Sequence, residues 1–306
     1  MAKKYAKKPR IDVYQKVTDN FIAAIEKGGT MPWTRSWSVS SGGFPTRFTG
    51  EQYQGINVLI LMCAGFTNPN WMTYNQAKSI GAQVRGGEKS TQVVKWLMTK
   101  IKGDDGKVKK DADQFPYPKF FNVFNAEQVD GLPEKFFPAP AEKMNKGQRD
   151  KNIDAILTDK KMAPTNFGGD RAYYQMSVDK NQVPDFEQFF SPEDFYATWF
   201  HEAVHSTMHA SRLDRSTESY AKEELVAEIG AAMCMTKVGL SSPEELRPDH
   251  VAYVASWLKA LKNDKKFIFS AAKDATAASQ FIVSDQMAEI ATSTPDKASP
   301  SQQEAA

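Results

Sequence analysis

The sequence predicts an α+β protein of two domains: an N-terminal α+β domain with a small antiparallel sheet, then a mainly helical C-terminal domain. Three observations carry this. The 306 residues exceed one ordinary domain and suit two, at about 100–200 residues each. Short helices and β-rich runs mix up to about residue 130, whereas long helical periodicities dominate after it. Charge divides too: residues 1–110 hold 18 Lys/Arg against 7 Asp/Glu, and the remaining 196 hold 21 against 30. A Pro-rich polar stretch lies between, so the expected division is 1–130, a linker at 131–151, 152–290, and a disordered tail at 291–306.

In chain order, "DVYQKVTDNFIAAIEKGG" (12–29) spaces Val13, Val17, Phe21, Ile22 and Ile25 as a helix face and ends on Gly28-Gly29. Residues 31–55 are rich in Gly, Ser, Pro and aromatics and read as loop and short strand. "INVLILMCAGF" (56–66) is apolar throughout, which fits a buried helix and a buried strand equally. "TYNQAKSIGA" (73–82) reads as a short helix opened by Thr73. "TQVVKWLMTKIK" (91–102), the turn "GDDGK" (103–107) and "KFFNVFNAEQV" (119–129) read as a hairpin. "NIDAILTDKKM" (152–162) predicts a helix, and 171–189 a strand followed by a loop. Ser191 as cap, Pro192 in the first turn and Glu193 with Asp194 at the positive helix end open a long helix over 191–211. Two more follow at 219–239, closed by Gly239, and at 249–264.

Several classes are excluded. The longest apolar run is about half a membrane span, so no membrane partner is expected. No signal sequence opens the chain, which with the two distant cysteines, Cys63 and Cys234, predicts buried thiols in a reducing cytoplasm.

Three of the four histidines fall within "HEAVHSTMH" (201–209). His201 and His205 are four apart, one turn on a helix, and can grip one metal ion. Glu202, between them, reaches the edge of the same face, where a carboxylate can take a proton from water and return it to a leaving amine. Eighteen residues separate His205 from Glu224, the His-Glu-x-x-His-(x18)-Glu spacing of gluzincin metallopeptidases with zinc. Glu228 lies one turn further. Glu224 as ligand with Glu228 bonding a ligand histidine satisfies the spacing, and so does the reverse. Glu223 is expected to point away into solvent. His209 reads as a supporting residue and Asp214 as a weaker candidate ligand, with Arg212 and Arg215 holding structure.

The first half interleaves cations and flat rings, the combination that tracks phosphates and stacks on unpaired bases. The basic tail supplies Lys3, Lys4, Lys7, Lys8 and Arg10. Trp33, Arg35, Trp37, Arg47 and Tyr53 follow, and "VRGGEKS" adds Arg85 and Lys89. Trp71 and Trp96 are assigned to the core.

The runs "MPWTRSW", "TGEQYQGINVLIL", "NWMTYNQAKSIGAQVRGGEKSTQVVKW" and "FNVFNAEQVDGLP" resemble the ArdC-type antirestriction domain of conjugative plasmids, also found ahead of some plasmid primases. "FHEAVHSTMHASRLDR" with "YAKEELVAEIGAAM" resembles the zincin-like metallopeptidase domain fused behind it. The resemblance implies single-stranded DNA binding by the first domain and interference with host restriction of incoming plasmid DNA. It also implies a metal at His201 and His205, with Glu202 catalytic. Two functions follow: a DNA-guided metalloprotease acting on the restriction machinery or another DNA-bound protein, or a binding protein that blocks restriction and uses its metal as a structural clip.

Overall fold

The protein is described from a computed structural model over residues 11–28, 43–99, 115–138, 148–216, 219–240 and 248–284. The expected tail at 291–306 lies outside these residues.

The N-terminal part opens with α1 (Val13–Gly28), which buries Val13, Val17, Phe21 and Ile25 on one face. After β1 (Thr46–Arg47), the run left open between helix and strand is a helix, α2 (Ile56–Met62). It buries Ile56, Val58, Leu59, Leu61 and Met62, most of its circumference, so no polar stripe marks the period. β2 (Asn70–Met72) leads into α3 (Tyr74–Ser79), where Thr73 and Gln76 form a capping box. β3 (Gln83–Val84), β4 (Thr91–Met98), β5 (Pro116–Asn125) and β6 (Val129–Asp130) complete this part. The main sheet runs β1-β2-β5-β4. Its long hairpin pairs Thr91 with Val123 through Met98 with Pro116. The sheet is antiparallel except where β1 joins β2 in parallel; β3 and β6 form a separate antiparallel pair.

The C-terminal part begins with α4 (Lys151–Leu157), capped by Asp150. β7 (Thr165–Phe167), β8 (Tyr173–Gln175) and β9 (Lys180–Val183) form a mixed sheet in the order β7-β9-β8. The sequence predicts one strand here and the fold has three, each too short to show alternation. Then come α5 (Pro192–Ser206), α6 (Tyr220–Lys237), α7 (Pro248–Asn263) and α8 (Phe267–Ile282). α5 ends five residues before the predicted boundary. Arg212 Nε donates to the Ser206 carbonyl at 2.6 Å, satisfying a terminal acceptor that a longer helix would have used. α8 was not foreseen: Ala271, Ala272, Ala275 and Ala278 make its buried stripe, and alanine is a weak hydrophobic signal.

One hydrophobic cluster runs from Val13 to Val283 through both halves. α1 is joined to the C-terminal part where Thr18 Oγ1 donates to the Lys265 carbonyl at 2.8 Å and Lys262 meets Glu26 at 2.7 Å. α2 is joined where the Gly55 N–H donates to Thr276 Oγ1 at 3.0 Å. A smaller cluster holds Met72, Ala77, Val84, Val129 and Phe136. Phe136 belongs to the stretch expected to be a linker. Its burial anchors the start of that stretch on the smaller cluster, although most of 131–138 is exposed, while 139–147 lies outside the described residues. No helix among the described residues is long and apolar enough to cross a membrane.

Candidate metal centre and basic face

α5 is fixed before its histidines are considered. Ser191 accepts from the Asp194 N–H, and Phe195, Tyr196, Trp199 and Phe200 are fully buried. That anchorage sets the rotation that turns His201 and His205 toward α6, itself capped by Ser219. The two helices approach at Gly230, where an added Cβ would meet the Val204 methyls at 2.8 and 3.0 Å.

The result is a compact donor set. The Nε2 atoms of His201 and His205 lie 3.1 Å apart. Glu224 places one oxygen 3.6 Å from His201 Nε2 and the other 3.5 Å from His205 Nε2. One ligand atom from each of the three residues can be chosen so that all lie within 4.8 Å of one another. Among the described residues no other His, Cys, Asp and Glu group is arranged in this way. The remaining ring nitrogens face carboxylates: His201 Nδ1 is 3.0 Å from Glu228 and His205 Nδ1 is 3.2 Å from Glu223. Such contacts fix ring orientation and turn Nε2 lone pairs inward. Two imidazoles and one carboxylate, three protein donors in all, are a set that Zn²⁺ or a related divalent ion accepts.

Glu223 corrects the sequence expectation. It is 4% exposed, not solvated, and Arg215 grips it with two hydrogen bonds of 2.9 and 3.0 Å. Arg215 also donates to the Val204 carbonyl and to Thr207 Oγ1, at 3.0 and 2.9 Å. It therefore ties the end of α5 to the start of α6. Burial pushes the Glu223 carboxyl up, but the bonds and charges of His205 and Arg215 outweigh it and hold the carboxyl below its usual range. The same balance, burial against His201 and His205, lowers Glu224. Glu202 is buried on α5 beside the first histidine.

Sequence reasoning missed Tyr220, whose hydroxyl bonds Tyr253 at 2.8 Å at the start of the helix that carries Glu224. No spacing rule reaches it. His209 lies past the helix end, on Ser211 Oγ at 2.8 Å, and Asp214 sits in a turn with φ 48°; neither joins the donor set. Arg212 pairs with Asp179 and Tyr174.

The predicted basic and aromatic residues divide. Lys3, Lys4, Lys7, Lys8, Arg10, Trp33, Arg35 and Trp37 lie outside the described residues. Arg47 is exposed, pairs with Glu51 at 3.2 Å and covers the Tyr53 ring; Tyr53 itself is buried. Arg85 is committed to Glu88, Asp130 and the Glu127 carbonyl. Lys89 is exposed. Trp71 is core, as expected, but Trp96 is 46% exposed. β4 is the sheet edge, and Asn57 of α2 bonds the N–H and carbonyl of Val94. Beyond Val94 the strand runs out from under the helix.

A histidine-pair helix facing a glutamate helix beside a small mixed sheet defines a zincin-like metallopeptidase fold, and residues 151–274 match that family. Residues 11–124 match the N-terminal domain of the anti-restriction factor ArdC. The crystal structures of the antirestriction protein ArdC from plasmid R388 superpose with TM-scores of 0.76 (metal-free) and 0.72 (Mn(II)-bound) at 40% identity. The metal-free comparison covers 92% of this chain and 99% of that one; the Mn(II)-bound one covers 91% and 98%. The chain belongs to the ArdC family of antirestriction proteins. It is also 35% identical to the uncharacterized protein y4eC of Sinorhizobium fredii, over 86% of this chain and 89% of that one. A DNA primase TraC of Escherichia coli is 37% identical over 93% of this chain, which spans 28% of the primase. A second TraC is 35% identical over 92% of this chain, which spans 20% of that primase.

Proposed function

We propose that this chain protects incoming plasmid DNA from host restriction in the cytoplasm, holding single-stranded DNA without sequence preference while a zinc-dependent peptidase centre acts on a protein nearby. The restriction machinery, or another protein on the same strand, is the expected target. Residues 1–130 are assigned to the strand and 152–290 to the peptidase. The observation that carries the reading is the donor set His201, His205 and Glu224, within 4.8 Å, with buried Glu202 alongside. The Mn(II)-bound form of the R388 relative supports a divalent ion at that set.

His201, His205 and Glu224 are the residues that would hold the ion. When bound, it supplies Lewis acidity, polarising a peptide carbonyl and lowering the pKa of water to about 7. The remaining chemistry belongs to the chain. Glu202 takes the proton of the attacking water and hands it to the leaving amine. Glu228 and Glu223 accept from the Nδ1–H groups of His201 and His205, so each histidine presents Nε2 as a neutral donor. β8, a sheet edge, offers backbone groups to an extended peptide.

The test is Glu202→Gln, which keeps shape and removes the base. Metal content and melting temperature should match wild type while cleavage of a peptide library and plasmid protection in a restricting host are both lost. Retained cleavage would remove Glu202 from its role. Lost cleavage with full protection would leave strand binding as the whole antirestriction activity.

A further inference from the structure

The cations and rings that suggest single-strand binding precede residue 130, yet among the described residues one large cleft is built by both halves. Its volume is about 1000 Å³. One wall comes from β4 and the 47–57 loop, the other from α8. Three aromatic rings cross the junction in a chain. Trp96 of β4 lies 5.7 Å from Tyr14 of α1, which lies 4.7 Å from Phe269 of α8. The cations lining the cleft are Arg47, Lys95, Lys266 and Lys273, against the single carboxylate Glu51. Glu51 is spent on Arg47. No described carboxylate pairs with Lys95, Lys266 or Lys273. Lys266 and Lys273 stand on the same side of α8's N-terminal half, about two turns apart.

A trough whose lysines rest on rings (Lys95 on Phe121, Lys266 on Tyr14) or stand in solvent, with no described carboxylate against them, and which holds a half-exposed indole, has the chemistry of a single-strand site. Cations track phosphates, and an accessible ring accepts unpaired bases of any identity. Duplex DNA offers its phosphates but not its base faces. We infer that single-stranded DNA lies in this cleft, with phosphates on Lys95, Lys266 and Lys273 and a base stacked on Trp96. The inference rests on the single-strand reading above and gives it a location that includes the metallopeptidase half. α8 also packs on α6, where Thr276 and Ser279 both meet Met233 at 3.8 and 3.9 Å. The strand therefore lies one helix away from the helix that carries Glu224.

The experiment measures anisotropy of a fluorescein-labelled oligothymidylate with the full chain across a salt series. Lys266→Ala/Lys273→Ala should weaken binding and lower the salt slope by about 1.4, at about 0.7 per lost phosphate contact. Trp96→Ala should weaken binding by about 5- to 140-fold with the slope unchanged, and Trp96→Phe should recover most of it. Lys160→Ala/Lys180→Ala, equally exposed cations elsewhere, should leave the slope alone. The lysines are exposed, so their variants should keep the wild-type melting temperature, and Trp96→Phe, which retains a ring against Tyr14, separates lost stacking from lost packing. If wild type binds and the cleft variants match it in affinity and slope, or the control pair lowers the slope as much, the cleft is not the site though the single-strand reading stands. If wild type binds no oligothymidylate, that reading fails as well. Equal affinity for a duplex, equally reduced by Trp96→Ala, overturns stacking on unpaired bases.

Discussion

Replacing Glu223 with alanine tests the wall of carboxylates behind the histidines. The side chain accepts two hydrogen bonds from Arg215 and one contact from His205, and the pair is nearly sealed, with side-chain exposures of 8% and 5% for Arg215 and Glu223. Removing the carboxylate leaves a buried guanidinium without a counter-charge, a loss of roughly 3–5 kcal/mol. Arg215 keeps its bonds to the Val204 carbonyl and Thr207 Oγ1, which places the expected loss at the lower end, about 3 kcal/mol. His205 also loses the group that orients its ring, so divalent-metal affinity should fall about 10- to 100-fold. Urea unfolding of the metal-free protein gives the first number and metal titration the second. Arg215→Met in the Glu223→Ala background should restore much of the stability, because it removes the stranded charge, but none of the metal affinity. A Glu223→Ala protein within about 0.5 kcal/mol of wild type, a change typical of a surface site, with unchanged metal affinity, would refute the buried pair.

Three further predictions concern other parts of the molecule. Gly230→Ala should destabilise: the methyl meets β-branched, fully buried Val204 at about 1–3 kcal/mol of overpacking, against about 1 kcal/mol gained in helix propensity. In a Val204→Ala background the same change should stabilise, and thermal melts of the four proteins read the reversal. Burial raises the Asp179 carboxyl, but Arg212 and Tyr174 outweigh it and leave it below its ordinary 3.8. A carboxyl depressed by folding stabilises above its unfolded pKa. The stability gap between wild type and Asp179→Asn should therefore be full at neutral pH and close as pH falls below about 4; asparagine tolerates the φ of 51° there. Cys234 is fully buried and Cys63, expected to be buried, is half-buried; desolvation pushes both thiols up to about 12, so native protein should alkylate slowly at pH 8, Cys234 more slowly than Cys63, and take up two labels once unfolded, by intact mass.

What the sequence made legible was local. His201, Glu202 and His205 are bound together by helical spacing alone, and the caps at Ser191 and Thr73 announce their helices. Glu224 and Glu228 fit the same spacing, because one turn apart on a helix is one face; only distances to the two rings separate them. Glu223 was misread because neighbours on a helix diverge by about 100°, which removes one of them from view when the partner is narrow. Here the partner is a pair of rings flanked on both sides. Arg215 reaches the cluster through tertiary packing that no spacing encodes. Trp96 sits in a strand pattern indistinguishable from that of a buried one, and its exposure depends on where α2 stops covering the sheet. α8 hid behind alanines, whose packing value comes from closeness, not hydropathy.

The core that runs unbroken from α1 to α8 has a consequence for how the two halves can be exchanged. Two modules joined by a string can be shuffled separately, each keeping its fold in a new host gene. Here a cut near residue 130 would strip α1 and α2 of the helices they lean on and break the Gly55–Thr276 and Tyr14–Phe269 contacts to α8. Recombination that exchanges one half must supply a matching partner surface or lose both. The primase matches run through 93% and 92% of this chain while occupying 28% and 20% of those proteins. The zincin-like half and the ArdC-like N-terminal half therefore recur together in those relatives.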